Sequence, residues 1–546
     1  MAKVALITLY NPGCNGLRSV AASLDAAGHE PFIISFKEYR AQEVCSSDTE
    51  HLEKLKQNRD VLYVIHHVPG KKLFLPYPTT ITDKEKELLI RELRDNIKPD
   101  IVGFSFFTVT YEIARQLTNH IKKQIPEMPV IWGGTHCIAA PEQCIRGTDI
   151  ICTGEGEDAI VELMNQWEKY KREGQLPVHG LWFRTKNSDI IKNPDRDVIH
   201  DLDRLPFPLF GKNEILIDDD AVSDKMNKPG PFLNAHVYTF TERGCPYQCS
   251  YCIHSILKKH GYTDFRRRSV DNVLEEVKDR VERLGMRHLV FHDEILLINK
   301  KWIREFSEKF RKMFHEPYGA TFTGYVHPLT TDEEMLDWMV QAGLTKVGMG
   351  IQSGSDYIST EVFNRPLVKD KSIKMAQLLG KYEFDIIQYD LLVNNPFEKE
   401  NDMQETFELL MKFPPPFSPG LFGIVIYEYS KLAERKVPDD PPSDKTNLFY
   451  NMLYHLTGIS IISRENLRAL SENPYLKEHP EELEELAVDL LQAECDLINA
   501  KRENSCVKEE LLQAQNWIKA HEKEYYSLKT AVKKKVKRIL YPLIQK

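Results

Sequence analysis

Three cysteines stand within eight residues in the stretch Arg243-Gly-Cys245-Pro-Tyr-Gln-Cys249-Ser-Tyr-Cys252. Thiolate sulfur is a soft ligand, and thiolates this close together on one loop can converge on one face of a [4Fe–4S] cluster. A local set of three leaves the fourth iron open, and an open iron can bind and cleave a substrate. The other chemistry these residues support is a structural zinc knuckle, which needs a fourth ligand. His254 and His260 stand near enough in sequence to supply one. The position of the triplet, directly after a strand that opens a β/α alternation, favours the cluster.

That alternation begins at residue 237. Its expected strands are 237–243, 288–292, 320–326, 346–351, 386–394 and 422–427, separated by amphipathic stretches such as 270–284, 302–313 and 333–342. Six β/α units predict an incomplete version of the eight-fold barrel, a partial (β/α)6 barrel over residues 237–430. Pro414-Pro415-Pro416 and the prolines at 438–442 punctuate its end, and residues 431–546 read as a helical C-terminal region. The run Arg266–Arg268 suits either neutralisation of a carboxylate or a solvated charge run before a helix.

A first alternation precedes it. Apolar runs at 3–10, 31–36, 100–107, 129–132 and 149–153 are separated by helical patterns at 17–27, 111–123 and 158–170, with Gly28 as a helix stop. This predicts an α/β fold whose residues 1–170 form a doubly wound parallel sheet, with ligands taken at the carboxyl ends of its strands. Residues 38–82 form a long insertion of no assigned role. Residues 171–236, rich in Pro, Asp and Asn and containing Leu205-Pro206-Phe207-Pro208, read as a bridging segment.

Bulk composition narrows the classes. The 546 residues are 42% hydrophobic and 28% charged, ordinary for a folded protein of several domains. A formal net charge of −9 gives no basic footprint for nucleic acid. The apolar start is short, lacks a cleavage pattern and reads as a first strand, and no apolar run has the length of a membrane span. The ten cysteines have no paired framework, so a reducing, cytoplasmic setting with metal or catalytic use is expected.

With the triplet after the first strand of a partial barrel, the sequence resembles the radical SAM superfamily. Residues 1–170 resemble the cobalamin-binding domain that precedes the barrel in the class B radical SAM methyltransferase group. Asn11-Pro12 through Gly28-His29, Ser105, Gly133-Gly134-Thr135-His136 and Gly154-Glu155-Gly156-Glu157 carry this likeness in order. The resemblance implies three cofactors: a [4Fe–4S] cluster on Cys245, Cys249 and Cys252, S-adenosylmethionine (SAM) and cobalamin. It implies that Asp293 and Glu294 lie at the SAM amino group and that Gln352 and Ser353 lie at the ribose. Many relatives have Glu where this chain has Gln352, but an amide still hydrogen-bonds a hydroxyl. Asn394 and Tyr251 fall near the adenine. Asn11, Ser105, Gly133 and Gly134 fall at the cobalamin.

Some cobalamin domains ligate cobalt from below through a histidine in Asp-x-His-x-x-Gly. Counting back from Gly16, Asn11 holds the Asp position and Gly13 the His position, so the resemblance implies a His-off arrangement. Cys14 and Cys137 lie near these loops and read as simple buried cysteines.

The implied activity is C-methylation of an unactivated carbon, in which a 5′-deoxyadenosyl radical takes hydrogen and methylcobalamin supplies the methyl group. A radical rearrangement or oxidative cyclisation without methyl transfer is the alternative on the same scaffold. A non-catalytic cobalamin-sensing or scaffold protein is the alternative of another class. The expected partners are a small-molecule or glycan/lipid substrate and a reductant such as flavodoxin or ferredoxin.

The tail carries its own pattern. Leu483, Leu490, Leu497, Asn504, Leu511, Ile518, Tyr525, Val532 and Ile539 recur every seven residues, with Leu486, Ala493, Ala500, Val507, Ala514 and Leu528 three positions on. This a/d pattern predicts either a helix that dimerises or one that folds back on its own barrel. The basic, apolar end at 533–544 suits peripheral contact with an anionic membrane.

Overall fold

The computed structural model describes residues 1–43, 74–365 and 368–503. Its first sheet is built on β1 (Lys3–Leu9) and β2 (Glu30–Phe36), which pair in parallel. Six of the seven residues of β1 are buried, as a central parallel strand covered on both faces requires. A ribbon of β3 (Tyr39–Glu43) and β4 (Phe74–Pro78) lies within the insertion read at 38–82. The sheet continues through β5 (Ile101–Ser105), β6 (Val130–Gly133) and β7 (Ile150–Cys152), all parallel.

Residues 171–236 do more than bridge. They supply β8 (Leu181–Arg184) and β9 (Ile190–Lys192) to one edge, and β10 (Glu214–Asp218) and β11 (Ala221–Ser223) to the other. The complete order is β11-β10-β2-β1-β5-β6-β7-β8-β9. β10 is parallel to β2, and its Glu214 receives both guanidinium nitrogens of Arg18 at 2.9 and 2.8 Å. Arg18 and Glu214 are fully buried, and Arg18 also donates to the carbonyls of Pro12 and Leu209. The loop after β1 is thereby tied to the far edge of the sheet.

The second body opens with two short antiparallel strands, β12 (Glu242–Arg243) and β13 (Arg266–Arg267). A curled parallel sheet follows in the order β14 (His288–Val290), β15 (Thr321–Val326), β16 (Leu344–Gln352), β17 (Ile386–Val393) and β18 (Ser418–Gly423). Residue Thr239 bridges to Phe291 in parallel, so the segment before the cysteines acts as the first barrel strand although only one residue pairs. The last strand lies four residues before the expected 422–427. Pro419 and Gly420 read as breakers, but β18 is an edge strand, where a residue without an N–H is tolerated.

The C-terminal helices complete this core. Asp444–Thr457 is buried from Leu448 through Thr457, because the helices Glu400–Leu410 and Pro480–Glu503 cover it. In the last helix, Leu483, Ala487, Val488 and Leu491 are buried and Leu486, Leu490 and Ala493 are half-buried. This stretch therefore folds back on the barrel, with its most buried face turned from the a/d seam toward a four-residue repeat. The remainder of the heptad pattern, from Asn504, lies outside the described residues. Among the described residues no helix is long and apolar enough to cross a membrane.

Candidate active site

The cysteine loop runs from β12 into the helix Ile253–Lys259. Cys249 is buried, and Cys245 and Cys252 are half-buried. Burial pushes the Cys245 thiol up to about 11 and the Cys252 thiol up to about 12. Such thiols are poor free nucleophiles and ionise when a metal replaces the proton. Among the described residues no three metal-binding side chains are gathered around one point as a single ion requires. Three such thiols on one loop fit the donor set of a [4Fe–4S] cluster. His254 is engaged elsewhere: its Nε2 lies 3.2 Å from Glu294 Oε1.

The surrounding contacts fix the loop. Ser250 N and Oγ donate to the carbonyls of Phe363 and Val362 at 2.8 and 2.5 Å. Tyr251 packs edge-on against Phe363, with ring centroids 4.7 Å apart. Tyr247 stacks on His327, which burial and the charge of Arg365 hold down at about 4. Arg365 places Nη1 4.0 Å from Cys249 Sγ and donates from Nη2 to the Gly350 carbonyl at 2.8 Å. No motif in the sequence signalled Arg365 or His327.

The acidic pair at the end of the second barrel strand divides its work. Asp293 is 3% exposed and accepts from Thr241 N, Thr241 Oγ1 and Glu242 N at 2.7, 2.9 and 3.2 Å. Asp293 therefore splints the backbone leading to the cysteines. Burial holds Asp293 and Glu242 above the usual carboxylate range, the charge of Asp293 adds to this at Glu242, and the opposing charge of Arg267 offsets it in part. Glu294 is more open, with its side chain 55% exposed, and lies close enough to raise the thiols of Cys245 and Cys252. Partial desolvation opposes its ionisation, but the hydrogen bond and charge of His254 outweigh that and hold its carboxyl low. Of the two acids, Glu294 is the one free to meet an ammonium.

The strand-end residues also separate. Gln352 has φ +69° and Asn394 φ +55°, and Tyr10 and Lys37 adopt the same conformation at the carboxyl ends of β1 and β2. Left-handed backbone in non-glycine residues is a local cost often found where strands meet a ligand. Gln352 lies on the side of Gly350 and Arg365, near the cysteines. Ser353 is fully buried among Glu398 and Thr406, at 3.5 and 3.4 Å. Asn394 Oδ1 accepts from Asn451 of the helix Asp444–Thr457 at 3.1 Å. The last two side chains are thus turned into packing contacts.

Two cavities open at the carboxyl ends of the first sheet. One, of about 400 Å³, is walled by Asn15, Gly16, Ser105, Gly133, Gly134 and Thr135 on one side and by Phe240, Glu242 and Arg243 on the other. Gly134 has φ +93°, and a side chain there would meet Phe106 N and O at 2.7 and 2.6 Å. The second, of about 340 Å³, includes Asn11, Pro12, Tyr39, Phe107, Val109 and Tyr238. Ser105, Gly133 and Gly134 therefore share one cavity and Asn11 lines the other.

A cradle of backbone and small residues beside an aromatic-lined space suits a large cofactor with a nucleotide tail. Gly13 touches the His236 carbonyl and the Tyr238 ring, whose nearest carbon would stand 2.7 Å from an added Cβ, so no histidine fits there. His136 is 6% exposed and both its nitrogens are taken, by Thr108 at 3.0 Å and Gln143 at 3.1 Å. Cys14 and Cys137 are buried, as expected, and Cys14 lies 3.7 Å from Ser105 Oγ.

Arg266, Arg267 and Arg268 are not a solvated run. They pair with Glu155, Glu242 and Glu276 at 2.9, 2.5 and 2.5 Å. Arg243 pairs with Glu155 and Glu157 at 2.8 and 2.5 Å. Apart from Glu276, which follows Arg268 closely, these partners are too distant in sequence to leave a local signal.

Comparison with known proteins agrees with this anatomy. Residues 240–410 match the Radical SAM superfamily and residues 77–164 match the B12 binding domain. The anaerobic magnesium-protoporphyrin IX monomethyl ester cyclase of Rubrivivax gelatinosus is 24% identical over 351 residues, 64% of this chain and 60% of that protein. The cytidylyl-2-hydroxyethylphosphonate methyltransferase of Streptomyces wedmorensis is 24% identical over 381 residues, 63% of this chain and 67% of that protein. This chain thus spans less than two thirds of the cyclase. The solved structure of the cobalamin-dependent S-adenosylmethionine radical enzyme OxsB, with aqua-cobalamin and S-adenosylmethionine bound, shares the fold. Its TM-score is 0.58 at 13% identity, over 96% of this chain and 75% of that one.

Proposed function

The chain carries a B12-binding domain followed by a radical SAM domain, and from that premise we propose that it is a cobalamin-dependent radical SAM C-methyltransferase acting on an unactivated carbon of a small molecule. The observation that carries the reading is the cavity walled jointly by the two bodies, whose barrel side, Phe240 to Arg243, leads directly into Cys245. Its cofactors are a [4Fe–4S] cluster, SAM and cobalamin. When bound, these groups supply reductive cleavage of SAM and transfer of a methyl group.

The chain's own residues bind, orient and shield. Cys245, Cys249 and Cys252 hold the cluster, and Arg365 lends positive charge beside Cys249. Glu294 meets the SAM ammonium by charge-assisted hydrogen bonding. Gln352 is placed for a ribose hydroxyl and Tyr251 for an adenine face. Ser105, Gly133, Gly134 and Asn11 contact the cobalamin, and Gly13 leaves it without a nitrogen ligand from that loop. Asp293, Ser353 and Asn394 act one step back, by holding the loops that carry these contacts. A flavodoxin- or ferredoxin-type donor supplies the electrons.

The likeness to a cyclase favours a second reading, oxidative cyclisation without methyl transfer. Anaerobic turnover separates the two. Reconstituted full-length protein, SAM with a deuterated methyl group and a metabolite extract from cells lacking the protein should yield 5′-deoxyadenosine, S-adenosylhomocysteine and a deuterium-labelled product. Deoxyadenosine together with an unlabelled, oxidised product, and no S-adenosylhomocysteine, establishes the second reading instead.

A further inference from the structure

The turn Gly154-Glu155-Gly156-Glu157 closes β7 and starts the helix Gly156–Asn165. All four residues wall the larger cavity of the first body. The same turn holds the cysteine loop at both ends. Upstream, two residues before Cys245, Arg243 donates to Glu155 Oε1 at 2.8 Å and to Glu157 Oε1 at 2.5 Å. Downstream of the helix that follows Cys252, Tyr262 Oη accepts from Glu155 N at 3.0 Å. Arg266 Nη1 then donates to Glu155 Oε2 at 2.9 Å and to the Ile199 carbonyl at 2.6 Å.

These contacts are largely withdrawn from water. Glu157 is 3% and Arg266 8% exposed. Buried, charge-assisted bonds tolerate little displacement, and Glu155 is held by both Arg243 and Arg266. A ligand that shifts the turn by filling the cavity therefore shifts the loop that carries the thiols. Glu155 Oε2 also accepts from Ile199 N at 2.7 Å, which leaves the carboxylate no slack to absorb the movement.

We propose that Glu155, Glu157 and Tyr262 are positioning residues that couple occupancy of the first-body cavity to the geometry of the cysteine triplet. The inference rests on the reading that the cavity holds cobalamin and the triplet a cluster. Coupling between two binding sites is reciprocal, so a cluster that reshapes the loop must change cobalamin affinity by the same factor.

The test uses full-length protein reconstituted with iron and sulfide without oxygen, with hydroxocobalamin as the probe. Its dissociation constant is measured for cluster-loaded protein and for the cluster-free Cys245→Ala, Cys249→Ala, Cys252→Ala variant. Coupling in the usual range makes these differ by about fivefold or more. In cluster-loaded and cluster-free Glu157→Gln, and in the same pair for Tyr262→Phe, the ratio should fall below about twofold, with iron content unchanged. Tyr262→Phe removes one oxygen and serves where Glu157→Gln fails to fold. Equal affinities in the parent pair, or an undiminished ratio in the folded variants, overturn the inference while leaving the cofactor assignment intact. Failure of the parent protein to take up cobalamin or iron overturns the assignment itself.

Discussion

Replacing Glu398 with glutamine should stabilise the fold, and by an amount that grows with pH. Glu398 is 5% exposed and sits with Ser353, Thr406 and Asp402, which are 0%, 2% and 7% exposed. Burial, and next the charge of Asp402, push its carboxyl up to about 8, while the hydroxyl of Ser353 at 3.5 Å offsets this in part. In the unfolded chain a glutamate titrates near about 4.3. The folded value is the higher one, so the native state binds the extra proton. Stability from this group is fully present below about 4.3 and is lost as pH rises through about 8.

At 1.36 kcal/mol per tenfold, the interval between these two values sets a ceiling of about 5 kcal/mol. Glutamine keeps the shape and cannot ionise, so Glu398→Gln escapes the loss. Urea melts of variant and parent, compared at pH 5 and pH 8.5, read the difference. The gap should be about 1 kcal/mol at pH 5 and grow by up to about 4 kcal/mol by pH 8.5, well within the resolution of such melts. A gap that is constant with pH, or that shrinks as pH rises, would refute the reasoning, because it would mean Glu398 is ionised in the native state across the range.

The remaining predictions are simpler to read. Anaerobically reconstituted protein should be brown and hold about four irons per chain, and the triple alanine variant at Cys245, Cys249 and Cys252 should lose both; iron retained in that variant sinks the cluster assignment, and zinc in place of iron restores the knuckle. The electron paramagnetic resonance spectrum of bound cob(II)alamin should lack axial-nitrogen splitting, and Gly13→His should weaken cobalamin binding, not create a ligand, because Tyr238 and the His236 carbonyl occupy the space; a nitrogen triplet in the parent protein defeats the His-off reading. Full-length protein should sediment as a dimer, or pellet with anionic vesicles, only through residues beyond Glu503, so a chain ending there should be a monomer in solution; equal behaviour of both chains removes the role read from the heptads.

Much of the chemistry was legible because it is local. Three thiols in eight residues need no partner from elsewhere to declare a metal site, and the spacing alone favours a cluster over a single ion once a strand precedes it. The alternation of apolar runs and amphipathic stretches likewise revealed both sheets, since each strand and helix carries its own period. β16 and β17 fell within two residues of their expected limits. β18 did not, because Pro419 and Gly420 argue locally for a loop and only the place of the strand at the sheet edge reconciles them with pairing.

What the tertiary structure alone decided is which of two adjacent side chains is tied into the protein and which stands open. Asp293 and Glu294 are neighbours of like charge, yet one splints the backbone of Thr241 and Glu242 and the other stands open beside the thiols. Ser353 and Asn394 had the right motif and the wrong company, with Glu398, Thr406 and Asn451 arriving from far along the chain. Arg266 suited either a carboxylate or a solvated run, and Arg243 carried no signal, until the turn at Glu155 and Glu157 was brought against them across about ninety to one hundred and ten residues. Residue type and spacing fix which bonds a segment can make; the identity of the partner is set by packing between segments whose separation in sequence leaves no periodic trace.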